Sequence, residues 1–374
     1  MEGADFLIIG GGIAGLSAAA RLAAYGRVLL LEAEEALGYH SSGRSVSFSH
    51  YGIGNAAVRS LTAWSRAFFE APPEGFSAVP VARTFASLYF AEGGALPALA
   101  ALAALQEDIA ACTDAIQVVD EAEMLSLCPV LKSPRRGLLD PTGLKLDADI
   151  LLQGFARQLR SKGGTIVTGA RAEAIERRGG DWIVNRAYAA PILIDAAGAW
   201  ADHVALLAGV TPLGLAPLRR TIIAIDPPPE TDMSGWPFVH SVAGDFYMLP
   251  EAGRILASPV DEVPDTPGDA QPEDYDLALA ADRLEHYTSV QVRRIAHRWA
   301  GLRTFTADRT PTAGFAPDAP GFFWLAGQGG YGLQTAPAMA RIAEALITGG
   351  DWPVPGVASE QIRPERLIIP GKTC

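Results

Sequence analysis

Residues 5 to 32 read DFLIIGGGIAGLSAAARLAAYGRVLLLE, and no other stretch restricts the fold as much. An apolar run from Asp5 to Ile9 predicts a strand, and Gly10, Gly12 and Gly15 follow in G-x-G-x-x-G spacing. An Ala- and Leu-rich segment of helical periodicity comes next, and Val28 to Leu31 predicts a second strand. Gly10 turns the chain tightly, Gly12 lets the backbone approach a pyrophosphate, and Gly15 lets helix and strand pack closely. The N–H groups beyond, those of Ile13 and Ala14 among them, and the positive helix end hold the anion. Glu32 closes the second strand where a carboxylate accepts hydrogen bonds from the ribose hydroxyls of an adenine nucleotide. Strand, glycines, helix, strand and acid in register predict a dinucleotide site. They do not separate NAD from FAD, because both present the same ADP half.

The rest of the composition narrows the partners. The 374 residues suffice for one large or two modest domains. Lys and Arg number 30 against 42 for Asp and Glu, a net charge of −12 with no basic block, so nothing is placed to hold nucleic acid. Cys112, Cys128 and Cys374 form neither a disulfide framework nor a CxxC pair, which points to a reducing compartment. No basic region precedes the first apolar run, and LPALAALAAL falls short of the ~20 residues of a membrane span, so the expectation is a cytoplasmic protein. His203, His240, His286 and His297 lack metal-ligand spacing, so no metal is expected, and no GxSxG elbow suggests hydrolysis.

Three later segments favour FAD. ILIDAAGAWAD (192–202), carrying Ala197, Gly198 and Trp200, looks like the second nucleotide-contacting strand of glutathione-reductase-type flavoproteins. WAGLRTFTADRTPTAG (299–314) is the second. FFWLAGQGGYGLQTAPAMARIAEALITG (322–349) predicts a strand, a loop with Gly327, Gly329, Gly330, Tyr331 and Gly332, and a helix opened by Thr335 with Pro337 in its first turn. A helix N-terminus there would stabilise the negative charge that develops near N1 and O2 of a reduced flavin, by about 0.3 to 2 kcal/mol, with Gln334 and backbone N–H groups assisting.

Together, IIGGGIAGLSAA, GYHSSGRS, IDAAGAWAD, WAGLRTFTAD and GQGGYGLQT resemble the FAD-dependent D-amino acid oxidase and glycine oxidase superfamily, and within it bacterial D-arginine dehydrogenases. The resemblance implies an α/β fold: a discontinuous Rossmann-like FAD domain (1–78, 142–214 and 300–374) and an α+β substrate domain (79–141 and 215–299) on a mostly antiparallel sheet. It implies non-covalent FAD, with the loop His40, Ser41, Ser42, Gly43, Arg44 and Ser45 running along the flavin and its phosphates. The acidic, proline-bearing DEVPDTPGDAQPED (261–274) reads as a surface loop.

The implied reaction is hydride transfer from Cα of a D-amino acid to flavin N5, giving an imino acid that water converts to a 2-oxo acid and ammonia. Arginine suits the carboxylate because its planar fork pairs both oxygens. The resemblance puts Arg220, Tyr247 and Arg303 at carboxylate-binding positions, Tyr51 as a fourth member, and the Gly330 carbonyl and Gln334 near the amine. Arg219 is the adjacent alternative, pointing the other way if its segment is a strand. The arginine-handling relatives carry a glutamate within the segment matching VARTFASLYF, but Phe85 or a neighbour stands here and no acid lies between Val81 and Ala91. They carry a histidine where Phe48 stands, and the sequence leaves open whether His50 replaces it. Phe48, His50, Phe85, Tyr89 and Met248 are candidate pocket residues, so an apolar or aromatic side chain is expected over a cationic one. The alternatives are a secondary-amine oxidase of sarcosine or proline-derivative type and a non-catalytic FAD subunit. The electron acceptor, oxygen or a quinone-type carrier, stays open.

Overall fold

The computed structural model describes residues 1–93 and 96–368. Cys374 and positions 369–374 of the expected FAD domain lie outside the described residues. Two sheets organise the chain. The first has six strands in the order Thr165–Val167, Val28–Leu31, Phe6–Ile9, Ile192–Asp195, Phe322–Ala326 and Thr312–Phe315. Its pairings are parallel except the last, and its central strands FLII, VLLL and FFWLA are buried along their whole length, as a sheet covered on both faces requires.

Strand alternation divides these residues between two cores. Phe6, Ile8, Leu30 and Phe323 face the helices Ile13–Leu22, Ala148–Ser161 and Gly332–Thr348, while Leu7, Leu29, Phe322 and Trp324 face Trp182 and the helix Ala201–Leu207. The chain crosses between Phe6–Ile9 and Val28–Leu31 through Ile13–Leu22, and a Cβ on Gly15 would stand 2.0 Å from the Gly10 carbonyl oxygen. Close helix-to-turn packing therefore needs glycine at 15.

The second sheet has nine strands among the described residues and is antiparallel except where Phe238–Ser241 runs parallel to Ser87–Glu92. One face, with Ile223, Met248 and Phe90, packs on the helices Glu121–Leu127 and Asp274–Tyr287. The opposite face, with Ile222, Phe238 and Tyr247, packs on Phe48 of a separate three-stranded sheet and turns toward the nucleotide-side sheet. The two layers fit the α/β architecture expected from the sequence. We propose the division at 78/79, 141/142, 214/215 and 299/300 as domain boundaries; the last falls within the strand His297–Phe305.

The acidic segment after Ser258 is more than a surface loop. Val263–Pro264 pairs with Leu218 and Arg219, Arg44 binds Asp269 and the Ala270 carbonyl, and Arg219 binds Asp265 at 3.0 Å. Exposed carboxylates thus meet arginines from both layers, and the segment becomes a strap across them.

Gly15→Ala should cost about 1 to 3 kcal/mol through overpacking, read as a lower denaturation midpoint with loss of bound flavin. Gly3→Ala, with nothing within 4 Å of its Cβ, is the matched control and should be neutral.

Candidate active site

A cavity of about 570 Å³ runs between the two sheets. At one end it is walled by Gly10, Gly12, Ile13, Ala14, Glu32 and Ser42. Gly10 has φ +109°, and a Cβ there would lie 2.4 Å from the Ala196 oxygen, so only glycine allows this turn. Glu32 is buried, accepting the N–H of Gly11 at 2.7 Å and of Glu34 at 2.8 Å, which fixes its carboxylate against the cavity. The Ile13 N–H donates to Ser42 Oγ at 3.0 Å, bringing the polar loop to the helix N-terminus.

His40, Ser41, Arg44 and Ser45 continue the wall, opposite Ala197, Gly198 and Trp200. His40 pairs with Glu34 at 3.0 Å and lies 4.6 Å from the Trp200 ring, centroid to centroid. Ser41 donates its hydroxyl to the Leu302 carbonyl. The Arg44 guanidinium is committed to Asp269 and to the carbonyls of Ala270 and Ala300, so it braces the strap beside the cavity. Gly43 does not line the cavity: its N–H closes the turn on the Gly38 carbonyl at 2.8 Å.

At the other end stand Arg220 and Arg303, with Gly329, Gly330 and Gly332 beside them. The strands Ala216–Ile225 and His297–Phe305 pair antiparallel, Leu218 opposite Arg303 and Arg220 opposite Gly301, so both guanidinium groups share one face. The same alternation sends Arg219 to the other face, where it binds Asp265, Glu273 and Asp276; Arg220 is the cavity residue. Arg220 donates Nε to the Asp261 carbonyl at 2.7 Å, and its Nη2 meets Glu262 at 3.1 Å. Glu262 also binds Arg309 at 2.6 Å. Arg303 has no such partner among the described residues, and a Cβ on Gly330 would press within 2.6 Å of its Nη1. Burial and the nearby Arg303 charge bring the Arg220 pKa down to about 10. The Tyr247 hydroxyl close by is buried without a hydrogen-bond partner.

Several expected site residues are placed elsewhere. Met248 faces the opposite core from Tyr247, because neighbours on a strand point to opposite faces. Tyr51 is buried with Tyr89, Leu102, Ile109 and Leu138 and does not line the cavity. Gln334 turns into the helix interface, donating to Thr62 Oγ1 at 2.8 Å and accepting the His50 N–H at 3.3 Å. The last helix begins at Gly332 and not at Thr335, so Pro337 lies in its second turn. Thr335 is already helical, its hydroxyl bonding back to the Tyr331 carbonyl at 2.9 Å, and Ser65 accepts the Ala338 N–H at 3.2 Å beside the proline. Gly15, Gly327 and Tyr331 support the wall from behind without lining it. Phe48, His50 and Phe85 pack on one another (Phe48–Phe85 5.6 Å, Phe48–His50 5.6 Å) beside the clamp, outside the cavity wall. Phe238 and His240, which no sequence signal singled out, complete this aromatic cluster.

Residues 5–346 match the model of the DAO family, described as FAD dependent oxidoreductase. The chain belongs to that family. FAD fits what the cavity offers: a backbone cradle that a Cβ at Gly10 would obstruct, a helix N-terminus and an inward carboxylate. Among curated relatives, FAD-dependent oxidoreductase domain-containing protein 1 of Bos taurus is 28% identical over 179 residues, 42% of this chain and 36% of that protein. The Xenopus laevis protein of the same name is 27% identical over 218 residues, 52% of this chain and 42% of its own. The chain therefore spans well under two thirds of these relatives. Among solved structures, L-alpha-glycerophosphate oxidase from Mycoplasma pneumoniae with FAD bound superposes with TM-score 0.82 at 23% identity, covering 93% of this chain and 95% of that one. Glycine oxidase from Geobacillus kaustophilus gives 0.81 at 19% (94% and 96%), and L-proline dehydrogenase from P. horikoshii 0.82 at 21% (98% and 98%). At these identities the likeness establishes the fold. No helix among the described residues is long and apolar enough to cross a membrane.

For this FAD-dependent oxidoreductase, the Arg220 shift gives a signed expectation. Burial and the Arg303 charge make this guanidinium easier to deprotonate than a free arginine, with a pKa of about 10, so anion affinity is full at neutral and mildly alkaline pH and any loss lies on the strongly alkaline side. Benzoate, which carries no amine, should perturb the flavin spectrum equally at neutral and mildly alkaline pH. Affinity that falls across that range would remove Arg220 from the anion site.

Proposed function

We propose that this flavoprotein oxidises the Cα–N bond of a D-amino acid, preferring an apolar or aromatic side chain to a cationic one. The observation that carries this reading is the clamp: Arg303 and the Tyr247 phenol, both without a partner among the described residues, and Arg220 diagonal to Arg303 on the paired strands, all beside the glycine-lined end of the cavity. Guanidinium forks bind a carboxylate through two parallel hydrogen bonds, and the phenol adds a third donor. Such anchoring at three groups fixes the carboxylate end of the substrate beside the ring.

FAD, when bound, supplies the hydride acceptor. As the hydride leaves Cα, the nitrogen lone pair forms the C=N bond, and water then releases the 2-oxo acid and ammonia. The chain's part is to hold the carboxylate, to exclude bulk water with the strap, and to accept an amine that has already lost its ammonium proton. The acids lining the cavity are Glu32 and Glu34, at the ribose end, and Glu262 is already shared by Arg220 and Arg309. A cationic side chain would therefore find no free counter-charge among the described residues that line the substrate end of the cavity. This supports reading the D-arginine dehydrogenase likeness as one of scaffold and clamp, with a different side-chain preference. Free Cys112 and Cys128 support a reducing, cytoplasmic setting, and His40, paired with Glu34, supports non-covalent FAD.

The same clamp would seat an N-alkyl glycine or a proline derivative, and the close Phe238 and His240 rings (4.0 Å between centroids) favour small substrates of that kind as the second reading. Anaerobic mixing of the yellow protein with D-amino acids and with N-methyl amino acids tests both. Bleaching by uncharged D-amino acids is expected; a profile led by D-arginine or D-lysine overturns the preference, and no bleaching favours a non-catalytic subunit. Arg303→Ala should retain flavin while kcat/KM falls by roughly two orders of magnitude or more, as expected for lost charged hydrogen bonds of about 1.5 to 3 kcal/mol each. Unchanged turnover would remove the clamp.

A further inference from the structure

From Tyr247 of the clamp a row of polar aromatic side chains runs on to His240 and Tyr89, which the proposed reaction leaves unused. Strand register places His240 directly between Tyr89 and Tyr247: it pairs with Tyr89 across a parallel ladder and with Tyr247 across an antiparallel one. Cross-strand partners share a face, so all three rings lie on the side of the sheet that carries Tyr247 and Phe238 toward the nucleotide layer. The His240 ring stacks on Tyr89 at 4.7 Å, lies 5.0 Å from His50 and stands 6.1 Å from Tyr247.

Hydrogen bonding along this row is incomplete at two atoms. The Tyr89 hydroxyl is bonded to His50 Nδ1. His240 Nε2 and the Tyr247 hydroxyl are both sealed from solvent with no partner among the described residues. Buried polar atoms are rarely left unpaired, and two on adjacent cross-strand positions next to an anion clamp mark a place where a ligand completes the bonding. The clamp reading gives Tyr247 a carboxylate. His240 needs a separate partner, one residue further along the row.

We propose that His240 is a specificity-determining residue whose Nε2 hydrogen-bonds an uncharged polar group on the side chain of the clamped amino acid. The inference rests on the amine-oxidation reading and narrows it: within uncharged side chains, one bearing a hydroxyl, phenol, indole or carboxamide group outranks its apolar isostere. A negative charge is disfavoured. Burial holds the pKa of His50 down to about 3 and that of His240 well below the ordinary histidine value, so both rings are neutral and offer no charge to an anion.

The test compares kcat/KM for isosteric pairs, D-threonine with D-valine and D-tyrosine with D-phenylalanine, in wild type, His240→Leu and His240→Gln. Wild type should favour the polar member of at least one pair by roughly tenfold, the scale expected when a site's polar group is otherwise left unpaired. His240→Leu should bring that ratio near unity while turnover of the apolar member persists, and His240→Gln should restore part of the preference. An unchanged ratio in His240→Leu, or a wild type that favours the apolar member of both pairs, overturns the proposal. If His240→Leu fails to fold, the wild-type ratio and His240→Gln decide. If no amino acid reduces the flavin, the amine-oxidation reading fails instead. The residue is then judged by flavin-perturbation titrations with para-hydroxybenzoate and benzoate, where loss of discrimination in His240→Leu supports it and unchanged discrimination refutes it.

Discussion

The antiparallel pairing of Ala216–Ile225 with His297–Phe305 is the interaction on which the site depends. It joins segments some eighty positions apart and sets Arg220 and Arg303 diagonally on one face, with glycine opposite Arg220. Two guanidinium groups so placed repel each other, and burial adds a desolvation cost; both lower the Arg220 pKa. Glu262 and the Asp261 carbonyl offset part of this for Arg220, and Arg303 lines the cavity with no such partner among the described residues. A carboxylate between them would relieve the repulsion of both, which is why the geometry favours an anion.

The strap is held by the same electrostatics. Asp265, Glu273 and Asp276 surround Arg219 on one face of the clamp strand while Glu262 reaches Arg220 on the other, so neighbouring arginines divide between anchoring and binding. Arg44 draws Asp269 from the nucleotide side. A chain with net charge −12 thus uses several of its surplus acids to close the cleft between its layers.

The nucleotide half was legible because its constraints are local. Gly10 is required by its own positive φ and Gly15 by its contact with Gly10, and Glu32 closes the adjacent strand, so a linear motif contains most of the geometry; the Ala196 contact with Gly10 comes from a distant segment. The clamp arginines were legible by chemistry, since an arginine flanked by apolar residues inside a strand needs an anionic partner. The misplacements have one cause: side-chain direction. Met248 was expected beside Tyr247, but alternation puts it in the other core; Gln334 was expected at the substrate and instead meets Thr62 in helix packing, and Tyr51 packs with Tyr89 in a separate apolar cluster. The helix start shifted to Gly332 because backbone bonding at the end of the loop, and not the first good capping residue, sets it.

By itself the sequence determined a two-layer α/β flavoprotein of the DAO type, the glycine cradle and the residue types available to grip a carboxylate, because each follows from local backbone freedom or from functional-group chemistry. Only the tertiary structure decided between Arg219 and Arg220, committed Arg44 and Gln334 to bracing, and brought His240 beside Tyr247 with its nitrogen unpaired. Those outcomes depend on which face of a strand a residue occupies and on which distant segment lies opposite, and strand register, fixed by packing across the whole fold, supplies both.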